Sequence, residues 1–161
     1  GSISYLFFSD IAQKIDAVDI NDDAIRYASR TYFRNNISYR HTNIFQFLQS
    51  HSNDKYDLIY FGSGFDYFSN EQRVEIYKLV IHHMFNESFF ILKTPIWNGT
   101  QYMYVQDEAQ SDFANKSDDV YTEVNKYFDI FFSKEVEYIG RTECILVAKL
   151  KKVKIRKPST Q

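Results

Sequence analysis

The residue types best placed for chemistry lie between Lys14 and Ile25, KIDAVDINDDAI, where an apolar run ends in a carboxylate. Ile15, Ala17, Val18 and Ile20 read as a short buried strand, and Asp19 stands where that strand runs out. Asn21 is a good helix N-cap, with Asp22 and Asp23 in the first turn, where negative charge suits the helix dipole. Asn21 already provides a cap, which leaves Asp19 for another task. An acid at the carboxyl end of a parallel strand accepts hydrogen bonds from ribose hydroxyls in an open α/β sheet. The competing assignment makes Asp19 a second, cap-like carboxylate serving the same helix.

The elements that must position this corner alternate along the chain. Residues 4–14 read as a helix, 15–20 as a strand, and 22–33 as a helix with Ile25, Ala28 and Tyr32 on one face. A short strand over 37–40 and a short helix over 44–49 follow, with Asn43 in the N-cap position. YDLIYF, residues 56–61, is a strong buried-strand pattern that runs into Gly62-Ser63-Gly64. Ser69 and Gln72 form a capping-box pattern that opens a helix to about Met84, with Val74, Tyr77, Ile81 and Met84 at helical spacing. SFFILK, residues 88–93, predicts a further buried strand, stopped by Thr94-Pro95. Residues 97–115 have weak periodicity and read as a loop or lid, and 118–127 as a helix. Strands over 128–139 and 143–149, joined at Gly140-Arg141, make a terminal hairpin. Alternating βα units with such a hairpin predict an α/β fold, a mostly parallel sheet with an antiparallel edge. Residues 1–150 are expected to form one domain, with a basic tail over 151–161.

Composition narrows the class. At 161 residues the chain can bury a core without staples, and its 18 % aromatic content with only 5 Gly and 2 Pro argues against disorder. A net charge of -2 gives no electrostatic argument for nucleic acid. The basic run from Lys149 to Lys157 reads as a solvated strand end and tail. Cys144 is the sole cysteine, which excludes an internal disulfide and reads as a small core residue. No apolar stretch approaches a membrane span, and a reducing, cytoplasmic setting is the default expectation. No His pairs with a carboxylate at ligand spacing, so no metal is expected. His82 and His83, late in a helix, read as a charge complement to its end, while His41 and His51 read as exposed.

The ordered features resemble the class I S-adenosylmethionine-dependent methyltransferases over nearly the whole chain. Gly1-Ser2-Ile3-Ser4-Tyr5-Leu6 looks like the tail of that family's glycine-rich first motif. Val18-Asp19-Ile20-Asn21 is similar to the second, whose acid binds both ribose hydroxyls and whose next residue packs on adenine. His41-Thr42-Asn43-Ile44 sits where the family places a polar residue beside the adenine amino group. Tyr56 to Ser63 resembles the fourth motif, whose strand end approaches the methionine part of the cofactor. The resemblance thus implies a three-layer Rossmann-like sheet with S-adenosylmethionine held by Gly1, Asp19, Ile20, Asn43, Ile44, Phe61, Gly62 and Ser63. It also implies methyl transfer to an O or N atom of a small-molecule acceptor, with Asp66, Tyr67 and Trp97 as pocket candidates. For Asn43 an ordinary N-cap role is compatible with adenine contact. Gly62-Ser63 can equally be a plain strand-to-loop turn, and the aromatics can equally be packing.

Two departures qualify the likeness. The family's first strand and the leading glycines are absent, which predicts two sheet fragments, with the strands of Val18 and Ile59 not pairing with each other. The chain is then expected to be part of a longer polypeptide, or another segment fills the gap; Gly1-Ser2 is alternatively a cloning remnant. Tyr67 also stands where many small-molecule members carry a His that serves as base, so the catalytic group is not assigned. The rival functions are a catalytically degenerate domain that binds or scaffolds, and a nicotinamide-dependent Rossmann enzyme. A parallel sixth strand in place of the hairpin would favour the latter.

Overall fold

The computed structural model describes residues 3–62, 64–96, 117–138 and 141–151. Its strands are β1 (Ile15–Asp19), β2 (Ile37–His41), β3 (Tyr56–Gly62), β4 (Met84–Ile96), β5 (Phe128–Tyr138) and β6 (Arg141–Leu150). Its helices are α1 (Asp22–Thr31), α2 (Ile44–Ser50), α3 (Asn70–His82) and α4 (Ser117–Val124). The strands form two sheets: a parallel pair β1-β2, and a four-stranded sheet in the order β3-β4-β6-β5. β3 and β4 are parallel, whereas β4-β6 and β6-β5 are antiparallel. The terminal hairpin is therefore present, and the strands of Val18 and Ile59 lie in different sheets and do not pair with each other. The chain divides into two compact units, Gly1–Ser52 and Asn53–Gln161.

The first unit packs α1 and α2 on the two-stranded sheet, with Ala17, Ala28, Ile37, Phe47 and Leu48 buried. Both helices start on side-chain caps: Asn21 Oδ1 accepts the Ala24 N–H at 3.0 Å, and Asn43 Oδ1 the Gln46 N–H at 2.8 Å. The helix expected over residues 4–14 is shorter, a single π-helical stretch over Ser4–Phe8. Its continuation is stopped by Asn36, whose Nδ2 donates to the Ser9 and Ala12 carbonyls at 2.9 and 2.8 Å. A side chain before β2 thus satisfies carbonyls that a longer helix would have used itself.

In the second unit α3 packs on β4 and α4 on β5. One face of β4 (Ser88, Phe90, Leu92, Thr94 and Ile96) is buried, together with Thr142, Cys144, Leu146 and Ala148 of β6. Tyr77 of α3 stands over this face, 6.4 Å from the Phe90 ring, 6.0 Å from Phe128, and stacked on Tyr127 at 5.0 Å. Cys144 is buried, as its apolar neighbours imply.

The boundaries of α3 and β4 differ from expectation in ways that the hydrogen bonds explain. The capping box at Ser69 and Gln72 forms, but α3 ends at His82 and not at Met84. The Tyr56 N–H donates to the His83 carbonyl at 2.8 Å, which draws the chain off the helix and into β4. His83 is no surface charge complement: its ring is fully buried, with Nδ1 donating to the Asp54 carbonyl at 2.8 Å. β4 begins at Met84 because Ser88 Oγ bridges irregular register, accepting from the Phe85 N–H and donating to the Tyr56 carbonyl. It also runs through Pro95. Among the described residues β3 ends opposite Lys93 and residues 94–96 pair only with β6, which leaves an edge where proline's missing N–H is tolerated.

Candidate functional site

The carboxyl ends of β1 and β2 bring Asp19, Ile20, Asn43 and Ile44 into one corner of the first unit. The ladder places Asp19 opposite His41, and the Thr42 N–H extends it by donating to the Asp19 carbonyl at 3.1 Å. Asp19 is exposed, and its Oδ1 accepts the Asn21 N–H at 2.8 Å. The carboxylate therefore already serves the turn into α1, the competing assignment of the sequence, while standing at the solvent-facing strand end that a ligand would need. Ile20 is 72 % exposed, an aliphatic side chain set at the end of a strand rather than in a core. Asn43 caps α2, and Thr42 Oγ1 donates to Gln46 Oε1 at 3.3 Å. His41 Nε2 lies 3.1 Å from the Ile20 carbonyl, and Nδ1 lies 3.6 Å from Asp22 Oδ1. The sequence marked His41 as exposed and as the start of the segment leading to Asn43, but assigned it no role of its own.

In the second unit β3 ends at Gly62, and the chain turns through Gly64 at φ 88° into a 3-10 turn over Phe65–Tyr67. Gly64 needs that left-handed conformation, which side chains rarely adopt. A Cβ on Gly62 would come within 2.3 Å of the Tyr60 ring, so glycine lets that ring lie across the strand end. Phe61 is committed to an edge-to-face cluster, 5.2 Å from Phe65 and 6.0 Å from Phe68. Tyr67 is exposed and Asp66 half-buried on the same turn. Gly1, Ser63, Trp97 and the lid expected over 97–115 lie outside the described residues.

The sequence did not disclose the charged groups around this turn. Arg73 is buried on α3, with Nε and Nη2 donating to the two oxygens of Glu123 on α4 at 3.0 Å each. Its Nη1 donates to the Phe68 carbonyl at 3.1 Å, and Nη2 also meets Asn70 Oδ1. Tyr77 Oη donates to Glu123 Oε1 at 2.9 Å. Burial, and then the Glu123 carboxylate beside it, push the Tyr77 phenol far above its ordinary range. Native Tyr77 thus keeps its proton above pH 10 while the unfolded chain loses it, so stability falls as pH rises. A Tyr77→Phe replacement is expected to flatten that alkaline decline, compared by urea midpoints at pH 9 and pH 11. On the opposite sheet face, Lys93 Nζ pairs with the fully buried Glu143 at 2.5 Å.

A hollow of about 450 Å³ lies at the far end of β4, lined by Phe89, Asp129, Phe131, Lys149 and Leu150 among others. It contains none of the candidate residues. Among the described residues, no helix is long and apolar enough to cross a membrane.

No protein-family model matches this chain, and no curated protein matches its sequence. Solved structures do match. TehB from Haemophilus influenzae superposes on 91 % of the chain with a TM-score of 0.67 and 16 % identity. An S-adenosylmethionine-dependent methyltransferase from Anabaena variabilis covers 90 % of the chain at TM-score 0.64 and 18 % identity. The N-methyltransferase NodS from Bradyrhizobium japonicum covers 92 % at TM-score 0.64 and 13 % identity. The chain spans 53 % of TehB, 71 % of the Anabaena protein and 82 % of NodS. At such identities the likeness is one of fold.

Proposed function

From the class I methyltransferase fold that the chain shares with these structures, we propose that it binds S-adenosylmethionine and transfers its methyl group to an O or N atom of a small-molecule acceptor. The observation that carries this reading is the exposed Asp19-Ile20 pair at the end of β1, beside the Asn43 cap of α2. The residues fit the nucleoside part of the cofactor. A carboxylate oxygen has two lone pairs, so Asp19 can hold the Asn21 N–H and still accept from ribose hydroxyls. Ile20 offers an apolar face to a purine ring, and the Asn43 carboxamide oxygen, which accepts the Gln46 N–H, keeps a second lone pair for the adenine amino group. Bound cofactor brings a sulfonium-activated methyl group; the chain's task is orientation. Asp66 and Tyr67, on the turn after β3, are the acceptor-side candidates of this proposal. Tyr67 in place of a His assigns no base, which suits an acceptor that needs little deprotonation.

The test is calorimetric titration of the protein with S-adenosylhomocysteine, paired with thermal unfolding in its presence. Saturable heat and a raised midpoint support the reading. Their joint absence would favour a fold retained for binding a partner or scaffolding.

A further inference from the structure

His41 is the neighbour of the candidate corner that the proposed function does not use. A carbonyl only accepts hydrogen bonds, so the 3.1 Å contact with the Ile20 carbonyl places a proton on Nε2. The neutral ring then turns the Nδ1 lone pair toward Asp22 Oδ1, 3.6 Å away. A lone pair and a carboxylate repel, whereas a second proton gives the ring a positive charge that this carboxylate attracts. Only the imidazolium satisfies both neighbours at once.

The bond to Ile20 reaches Asp19 through a single peptide unit. The carbonyl of the Ile20–Asn21 peptide accepts from His41, and the N–H of that same peptide donates to Asp19 Oδ1 at 2.8 Å. Fixing one end of a planar peptide fixes the other. The His41 ring therefore sets the direction in which Asp19 holds its carboxylate. The charged groups facing this ring are Asp22 of α1, itself paired with Arg26, and Asp19 across the ladder. Arg40, the preceding residue of β2, is turned to Asp16 at 3.3 Å, and the nearby α2 side chain Gln46 is neutral.

We propose that His41 is a positioning residue for the nucleoside, and that its protonation tightens nucleoside binding by locking the Ile20–Asn21 peptide. This rests on the reading of Asp19 as the ribose-holding acid. The sign follows from the geometry. Only the charged ring both bonds the Ile20 carbonyl and attracts the Asp22 carboxylate 3.6 Å away, so affinity is greatest at low pH.

The experiment is calorimetric titration with 5′-methylthioadenosine, which carries the nucleoside but no amino-acid end that could titrate. Binding to the unaltered protein is expected to weaken about two- to fivefold between pH 5.5 and 8.5, the range that an exposed ion pair supports. His41→Gln retains a donor for the Ile20 carbonyl but cannot take a charge. It should bind at the high-pH level of the unaltered protein, with no slope. His41→Ala should bind more weakly still at both ends, and Asp22→Asn should also abolish the slope. A slope that survives in His41→Gln, or His41→Ala binding that equals the unaltered protein, overturns the inference alone. Absence of heat from the unaltered protein at every pH overturns the nucleoside reading and this inference with it.

Discussion

Replacing Arg73 by Met is expected to destabilise the protein by about 3–5 kcal/mol, the cost of leaving one member of a buried ion pair without its partner. The arrangement explains the size. Arg73 is buried to within a few per cent and meets both Glu123 oxygens in a parallel fork, the strongest geometry for this pair. It also satisfies the Phe68 carbonyl at the end of the turn that carries Asp66 and Tyr67. Met fills much of the volume, so the loss is electrostatic rather than a cavity. The double replacement Arg73→Met with Glu123→Gln removes the stranded charge and keeps a carbonyl oxygen for Tyr77 Oη. It should recover more than about 1 kcal/mol of the loss, because the remaining groups are neutral. Guanidinium unfolding followed by circular dichroism reads both. A single-variant cost under 1 kcal/mol would show that water screens the pair, and a double variant no better than the single would show that packing, not charge, dominates.

That network also shows why the sequence disclosed some of this molecule and not the rest. Caps were legible because their partners are three residues apart. Ser69 with Gln72, Asn21 with Ala24 and Asn43 with Gln46 are local chemistry, decided before any tertiary contact forms. The strands at Tyr56 and Phe89, and the hairpin, were legible from apolar runs and turn residues, although β3, an edge strand of its sheet, is only half-buried and not the buried strand its apolar run implies. Arg73 and Glu123 are 50 residues apart, and helical spacing on α3 marks Arg73 only as a charge on an apolar face. Lys93 and Glu143 meet because strand register sets Lys93 against Ile145 and Pro95 against Glu143, and no local pattern reports register between distant strands. The ends of the first helix and of α3 failed for the same reason. Asn36 and Tyr56, from other elements, decide where those helices stop. The candidate corner was legible in Asp19 and Asn43, but the tie from His41 to the Ile20 carbonyl depends on the β1-β2 register.

Asp19→Ala is expected to weaken S-adenosylhomocysteine binding by about 1.5–3 kcal/mol, roughly 10- to 150-fold, through lost charge-assisted hydrogen bonds. The carboxylate has two tasks in this structure, and the variant removes both, so alanine alone does not separate ligand binding from support of the turn. Asp19→Asn does. Its carboxamide oxygen can still accept the Asn21 N–H at the position of Oδ1, so the turn into α1 is kept. The charge is gone, and with it the stronger acceptor for two ribose hydroxyls. The asparagine variant should therefore unfold at the temperature of the unaltered protein yet lose most of the affinity that alanine loses. If Asp19→Asn binds S-adenosylhomocysteine as well as the unaltered protein while Asp19→Ala is both weak and unstable, the acid serves the helix start alone. The ligand corner must then be sought elsewhere on the sheet ends. Binding lost in both variants, with stability lost only in alanine, is the outcome that the exposed strand-end carboxylate predicts.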